Sequence, residues 1–213
     1  MPYILLFVLG CIGYSISYIG LNISYIQQLD QSILHWISLH RTDFFDHVSI
    51  TLSYIGGLPV MLLLCGICCL QQAYLKKYAN VILISVSLLG ASGIGWILKA
   101  CIHRPRPEAV YQMVQTYGAS FPSAHSIYAA VIACLIIFIF FRHTQAKLLM
   151  SFAYLWCLSM GISRVYVGAH FLTDVLAGWS IGLLWVSLIW YLFSKYMLNT
   201  NKLFLDKNLN EVE

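Results

Sequence analysis

Charge is what this chain has least of. Of its 213 residues only 9% are Asp, Glu, Lys or Arg, while 60% are hydrophobic, and a soluble domain carries about 25% charged residues. That deficit, with a mean hydropathy of +0.78, excludes a soluble globular domain and points to an integral membrane protein. The formal charge of +4 is small, and no basic stripe interleaved with aromatics is present, so no nucleic-acid partner is expected. No lysine or arginine precedes Arg41, so the N-terminus lacks the basic region of a secretory signal. The faint likeness of Val8-Leu9-Gly10-Cys11 to a lipoprotein cleavage site carries little weight for the same reason. The 7 cysteines fall within or at the ends of apolar runs. They read as small buried side chains and not as a disulfide framework, and Cys68-Cys69 lacks metal-site spacing.

What is there is a series of apolar runs long enough to cross a bilayer as helices, which takes roughly 20 residues each. The expected fold class is all-α: a polytopic membrane protein with six transmembrane helices in one bundle. The spans fall at about 3–26, 47–70, 81–102 and 123–141, then a fifth ending near Ile162 and a sixth at 171–193. Residues 1–195 would form one membrane domain, and 196–213 a cytoplasmic polar tail. Gly56-Gly57 and Pro59 predict a kink in the second span. Between the first two spans, Leu29, Ile33, Trp36, Ile37 and His40 recur at helical spacing. They predict a short helix lying in the interface, with Trp36 at headgroup depth. Lys76, Lys77, Arg142, Lys147, Lys195, Lys202 and Lys207 fall on one side of this layout. Arg41, Lys99, Arg104, Arg106 and Arg164 fall on the other. The larger set marks the cytoplasm, which puts both termini inside and the second set on the outer face.

The stretch Ser163-Arg-Val-Tyr-Val-Gly-Ala-His170-Phe-Leu-Thr-Asp174 places an arginine, a histidine and an aspartate between two long apolar runs. Asp174 is the one carboxylate inside a hydrophobic run; the other acids lie in polar connections or in the tail. A carboxylate in a membrane helix costs roughly 2.5–3.5 kcal/mol on insertion scales, so it is a functional candidate by default. If the chain is helical from His170 onward, His170 and Asp174 share a face one turn apart. The carboxylate can then take the proton of one ring nitrogen and leave the other basic and aimed outward. The stretch by itself fits equally well an aspartate that caps a helix beside a satisfied histidine.

Two further stretches bear on that choice. In Lys99-Ala-Cys-Ile-His-Arg104-Pro-Arg106-Pro107, Lys99 is the basic residue within the third run. A snorkelling lysine and a topology-setting arginine pair would read the same way. The two prolines, however, fix the backbone twice and make a stiff turn, which matters for holding an anion. In Ser120-Phe-Pro122-Ser123-Ala124-His125-Ser126, Pro122 and Ser123 mark a helix start with Ser123 at the N-cap or first turn. Unpaired N–H groups and the helix dipole make such a start an anion site. His125 taken alone would be an interfacial histidine bonded to water. Two histidines and an aspartate could ligate zinc, but Lys99, Arg106 and Arg164 would repel it. Those cations suit a phosphate of charge about −2, with bidentate arginine contacts. A metal-free phosphate site is the better reading.

Lys99-x6-Arg106-Pro107, Pro122-Ser123-Ala124-His125 and Ser163-Arg164-x5-His170-x3-Asp174 resemble the three signature motifs of the type 2 phosphatidic acid phosphatase superfamily, in the family's order. Ala124 stands where the family usually has glycine. Alanine keeps the N–H but tolerates positive φ poorly, so an ordinary helix start is expected there. The resemblance implies His170 as a nucleophile forming a phosphohistidine, with Asp174 holding its ring. It implies His125 as proton donor to the leaving oxygen and then as base for water. Lys99, Arg106, Arg164, Ser123 and the N–H of Ala124 would bind the phosphoryl oxygens. No metal or organic cofactor is implied. The partners would be a lipid phosphate and the surrounding lipids. The location would be a bacterial inner membrane with the site on its periplasmic face. Among lipid phosphates, undecaprenyl diphosphate comes first, then phosphatidylglycerophosphate and phosphatidate. Arg104 is a candidate for a second phosphate or a headgroup. Transfer to another lipid in place of water would use the same residues. A transporter would need charges at mid-membrane and repeated halves, which the sequence lacks.

Overall fold

The computed structural model describes residues 2–140 and 144–210, with side chains over 3–140 and 144–195. Arg142 therefore lies outside the described residues, as do the side chains of the expected tail. The described residues form eight α-helices, a 3-10 turn at Ala109–Tyr111, and no strand. The helices are α1 Pro2–Gly20, α2 Ser24–Leu39, α3 Asp43–Ile55, α4 Leu58–Tyr74, α5 Tyr78–Ile102, α6 Ala124–Phe140, α7 Ala146–Tyr166 and α8 Leu172–Asn210. The fold is all-helical, as expected.

The count of six spans is not established by helix length. Four helices (α1, α5, α7 and α8) are long and apolar enough to cross a bilayer, and the bent pair α3–α4 makes a fifth. Helix α6 is apolar, and its described part spans 17 residues. The first apolar run also ends sooner than expected. Helix α1 stops at Gly20, and the chain turns through Leu21 and Asn22 on short-range bonds to Tyr18 O and Ile19 O. The kink forms where Gly56, Gly57 and Pro59 predict it, with α3 and α4 meeting at 60°. Pro59 sits in the first turn of α4, where a missing N–H costs no helical bond.

Helix α8 lies against α1, α5, α6 and α7. Its approach to α6 depends on two glycines one turn apart. A Cβ on Gly178 would lie 2.6 Å from Ser123 O, and one on Gly182 would lie 2.6 Å from the Ala130 Cβ. Small residues at this spacing let two membrane helices touch backbone to backbone. Met61, Leu88, Ile127, Val131, Ile181 and Val186 fill the space between α4, α5, α6 and α8. Leu5, Ile16, Leu63, Trp96 and Phe152 point outward, as lipid-facing side chains do.

Helix α2 forms where the sequence predicts a short helix, and it docks on α1, α7 and α8 with Asp30 and Leu34 inward. Trp36 is 60% exposed and stacks on His40. Asp30, expected in a solvated connection, is only 3% exposed. Its inward turn has a physical reason: an arginine and a threonine from distant parts of the chain satisfy its carboxylate.

The C-terminal ends of α5 and α7 and the N-terminal ends of α6 and α8 carry the three sequence motifs. These ends meet around one cavity.

Candidate active site

A tight turn sets the position of His170. Helix α7 ends at Tyr166, and Gly168 takes φ +69, a conformation that L side chains rarely adopt. A Cβ there would also lie 2.1 Å from Tyr111 O, so the turn is closed to any other residue without rearrangement. Past it, the N–H groups of Ala169 and His170 both donate to Arg164 O, at 3.1 and 3.2 Å. His170 thus precedes α8 and is not part of it, contrary to a helix running from His170. The expected pairing survives: Nδ1 of His170 lies 3.5 Å from Oδ2 of Asp174.

Asp174 is both the capping residue and the buried partner that the sequence left as alternatives. It sits in the first turn of α8, and its Oδ2 accepts the N–H of Phe171 at 2.9 Å, a reach back to the helix start. The same oxygen accepts the Ser120 hydroxyl at 2.5 Å. Its Oδ1 accepts from Arg104 Nη1 at 2.5 Å. Asp174 is fully buried, and a buried carboxylate needs this density of donors.

The other edge of His170 faces the cavity. Nε2 lies 3.4 Å from Nη1 of Arg106. The cavity, about 690 Å³, is lined by Lys99, Arg106, Ala124, His125, Arg164 and His170 among others. None of its three cations forms an ion pair with a carboxylate among the described residues. Lys99 donates to Ala119 O at 2.6 Å and Ser120 O at 3.3 Å. Arg106 donates to Gly118 O, Ala169 O and Tyr117 O at 2.8, 2.9 and 2.6 Å. Arg164, 4% exposed, donates through Nη1 to the Ser53 hydroxyl, and its buried Nε makes no hydrogen bond among the described residues. Neutral groups, carbonyls for Lys99 and Arg106 and a hydroxyl for Arg164, hold these side chains in place without cancelling their charge, which leaves a pocket poised for an anion. Burial lowers the Arg106 pKa below its ordinary 12.5, opposed by the field of Asp174. Burial also lowers His170 from 6.5 to about 3, against the raising effect of Asp174, with Arg164 and Arg106 adding to the fall. His170 is therefore neutral at ordinary pH, with a lone pair available on a nitrogen.

His125 enters from the first turn of α6. Its Nε2 lies 3.0 Å from Ser53 O, so that nitrogen carries the proton and Nδ1 is left to exchange one with a ligand. Ala124 opens α6 without positive φ, as the alanine-for-glycine departure requires. Ser123 caps α6, as its sequence position predicts, but does not line the cavity as a phosphate-binding residue would. Its hydroxyl accepts from Ser126 N at 3.4 Å and Ser126 Oγ at 2.9 Å, capping α6. Its N–H donates to Asp174 O, and the side chain is fully buried and off the cavity wall. Arg104 is likewise taken up elsewhere, paired with Asp30 at 2.8 Å and with Asp174.

Sequence reasoning missed three participants: Ser120 on Asp174, Ser53 on both Arg164 and His125, and Asp30 on Arg104. Ser120 was within a motif stretch, but nothing local distinguishes its hydroxyl from that of Ser123. Ser53 and Asp30 come from segments whose sequence signals only an apolar run and a polar connection.

With this geometry in place, comparison with known proteins is informative. The PAP2 superfamily matches residues 80–198. Phosphatidylglycerophosphatase B of Bacillus subtilis is 30% identical over 164 residues, covering 75% of this chain and 80% of that protein. Phosphatidylglycerophosphatase B of Haemophilus influenzae is 26% identical over 193 residues, covering 68% and 80%. The crystal structure of a transmembrane PAP2 type phosphatidylglycerolphosphate phosphatase from Bacillus subtilis superposes with TM-score 0.80 at 27% identity, covering 91% of this chain and 96% of that one. The crystal structure of Aquifex aeolicus LpxE shares the fold, with TM-score 0.65 at 21% identity over 76% of this chain and 95% of that one. The motif order, the convergence of those motifs on one cavity and the match over more than half its length lead to one conclusion: this chain belongs to the PAP2 superfamily.

Proposed function

We propose that the protein removes the terminal phosphate of phosphatidylglycerophosphate by way of a phosphohistidine on His170. The observation that carries this reading is the asymmetry of the His170 ring. Nδ1 faces a carboxylate at 3.5 Å, while Nε2 faces a cavity whose cations have no ion-pair partner among the described residues. Nε2 attacks phosphorus as the bond to the lipid oxygen breaks. Lys99, Arg106 and Arg164 stabilise charge on the transferring oxygens. Nδ1 of His125, protonated as the substrate binds while Nε2–H stays on Ser53 O, gives that proton to the leaving lipid oxygen. It then takes a proton from the water that breaks the N–P bond and releases inorganic phosphate. Asp174, with Ser120 and Arg104 around it, holds the ring and balances its charge.

The choice among substrates rests on cation count. Arg104, the candidate for a second phosphate, is engaged by two carboxylates, and beyond the three Lys and Arg cations and the two site histidines the polar side chains of the wall are His103, Gln115, Thr116, Tyr117 and Tyr128. That wall suits a single terminal phosphate on a hydroxylated headgroup better than a diphosphate. Both curated relatives bear the name phosphatidylglycerophosphatase B, which supports the same order. Undecaprenyl diphosphate, first in expectation from the sequence, becomes the comparison substrate. Leu58, Trp96, Ala100 and Tyr128 give the cavity an apolar side for the lipid tail.

In this reading α6 is a sixth span, both termini are cytoplasmic, and the cavity opens at the outer face of a bacterial inner membrane. The chemistry needs no metal. The deciding measurement is phosphate release by purified protein from phosphatidylglycerophosphate, phosphatidate and undecaprenyl diphosphate, each with and without EDTA. The expected result is the highest kcat/KM on phosphatidylglycerophosphate, unchanged by EDTA. A preference for the diphosphate, or a strict divalent-metal requirement, overturns the corresponding part. Including a lipid alcohol acceptor separates hydrolysis from transfer, since transfer would yield a phosphorylated acceptor in place of inorganic phosphate.

A further inference from the structure

An arginine fork ordinarily grips one carboxylate with two parallel N–H···O bonds. In Arg104 that fork is divided. Nη1 donates to Oδ1 of Asp174 at 2.5 Å and to the Thr173 hydroxyl at 2.7 Å, while Nη2 donates to Oδ2 of Asp30 at 2.8 Å. Asp30 is secured in turn. It accepts the N–H of Thr173 at 3.1 Å and the Thr173 hydroxyl, which ties α2 to the first turn of α8. Because Nη2 is held away, only one edge of Arg104 reaches Asp174. Oδ2 of Asp174 is left to the Ser120 hydroxyl, the Phe171 N–H and Nδ1 of His170.

We propose that Asp30 is a positioning residue for the reaction: by holding Nη2 of Arg104 it keeps the guanidinium off Oδ2 of Asp174, which stays available to orient His170. Without it, the guanidinium can rotate onto Asp174 alone and grip both oxygens. His170 Nδ1 already sits at the long end of hydrogen-bond range, and a bidentate arginine would displace it. The ring would then lose both its fixed orientation and the neighbouring charge that steadies it as Nε2 bonds phosphorus. Asp30 also sets the charge: one guanidinium shared by two carboxylates leaves a net negative cluster behind the nucleophile, where Arg104 and Asp174 alone would be neutral. Asp30 and the whole of α2 lie outside the stretch matched by the family, residues 80–198. The role of the 24–39 helix is therefore a tether to the nucleophile's carboxylate, reached from its inner face.

The inference rests on the reading of His170 and Asp174 given above, and one set of variants tests the two separately. Asp30→Asn, Asp174→Asn and the double variant are compared for kcat, KM and thermal midpoint using radiolabelled lipid phosphate. Asp30→Asn is expected to lower kcat roughly 10–100-fold, the range typical of outer partners of an active group. KM should change little, and in the Asp174→Asn background the same change should cost nothing further. If the amide variant does not fold, Asp30→Glu takes its place. It shifts the carboxylate along Arg104 and should lower kcat less, again only when Asp174 is present. Wild-type kcat in Asp30→Asn, or an equal fold-loss in both backgrounds, overturns the role of Asp30. Full turnover by Asp174→Asn strikes the reading of the site itself.

Discussion

The two edges of His170 are built on opposite electrostatic plans. Behind the ring, on the Nδ1 side, every charge has a charged partner: Arg104 stands between Asp30 and Asp174. In front of it, Lys99 and Arg106 are held by backbone carbonyls and Arg164 by the Ser53 hydroxyl. The rear is a finished network whose loss leaves buried charges exposed to one another. The front keeps unbalanced positive charge that only a bound anion completes. The difference separates charges that are paired within the protein from charges left open to a ligand, even though Arg104 and Arg106 stand two residues apart in one short motif.

The largest expected effect concerns the group between the two edges. His170→Ala should lower phosphate release by roughly 10⁴-fold or more with folding retained, measured on purified protein with its thermal midpoint as control. Retained turnover would remove the nucleophile from the mechanism. The rear network should show itself chiefly in stability. Arg104→Ala strands two buried carboxylates and should cost about 3–5 kcal/mol, read from denaturation in detergent. A variant as stable as the parent would contradict the division drawn here. Arg164→Ala at the front should instead cost roughly 10²–10³ in kcat/KM and weaken inhibition by vanadate, with a smaller stability change. If Arg104→Ala and Arg164→Ala fail in the same way, the two edges are not distinct.

Acidity offers a subtler contrast. The folded pKa of His170, about 3, lies below its ordinary 6.5 because the ring is buried. Between those values the unfolded chain binds the proton and the folded one does not, so stability rises with pH across the window and falls as pH drops from 6.5 toward 3. Thermal midpoints recorded through that range should show the fall, and His170→Gln should flatten it. The smallest effect is expected on the outer face of α2. Trp36→Ala should change stability by no more than about 0.5 kcal/mol, whereas Asp30, on the inner face of the same helix, should not be replaceable so cheaply.

What could be read from the sequence was what chain geometry fixes locally. The His170–Asp174 pairing, the start of α6 at Ser123 and the bend near Gly57 each depend on neighbours a few residues apart. The convergence of Lys99, Arg106 and Arg164 was accessible because their motifs fall at helix ends on one side of a regular layout. The parts that stayed hidden depend on distant partners. Asp30 looks like a surface acid until Arg104, 74 positions away, is brought beside it. Ser53 meets Arg164 across 111 positions, and Ser120 meets Asp174 across 54. Arg104 and Arg106 are chemically identical and two residues apart, yet only the three-dimensional neighbours decide which one is neutralised. The break of the first apolar run at Gly20 was equally unreadable.

The carbonyls that hold Lys99 and Arg106 have a consequence for the end of the catalytic cycle. When inorganic phosphate departs, neither side chain has to search for a resting place, since Tyr117, Gly118, Ala119 and Ser120 already supply one. The vacated pocket keeps its shape for the next lipid, and the product competes for donors that are never wholly its own. A cradle of that kind grips strongly enough to guide a reaction and loosely enough to let go.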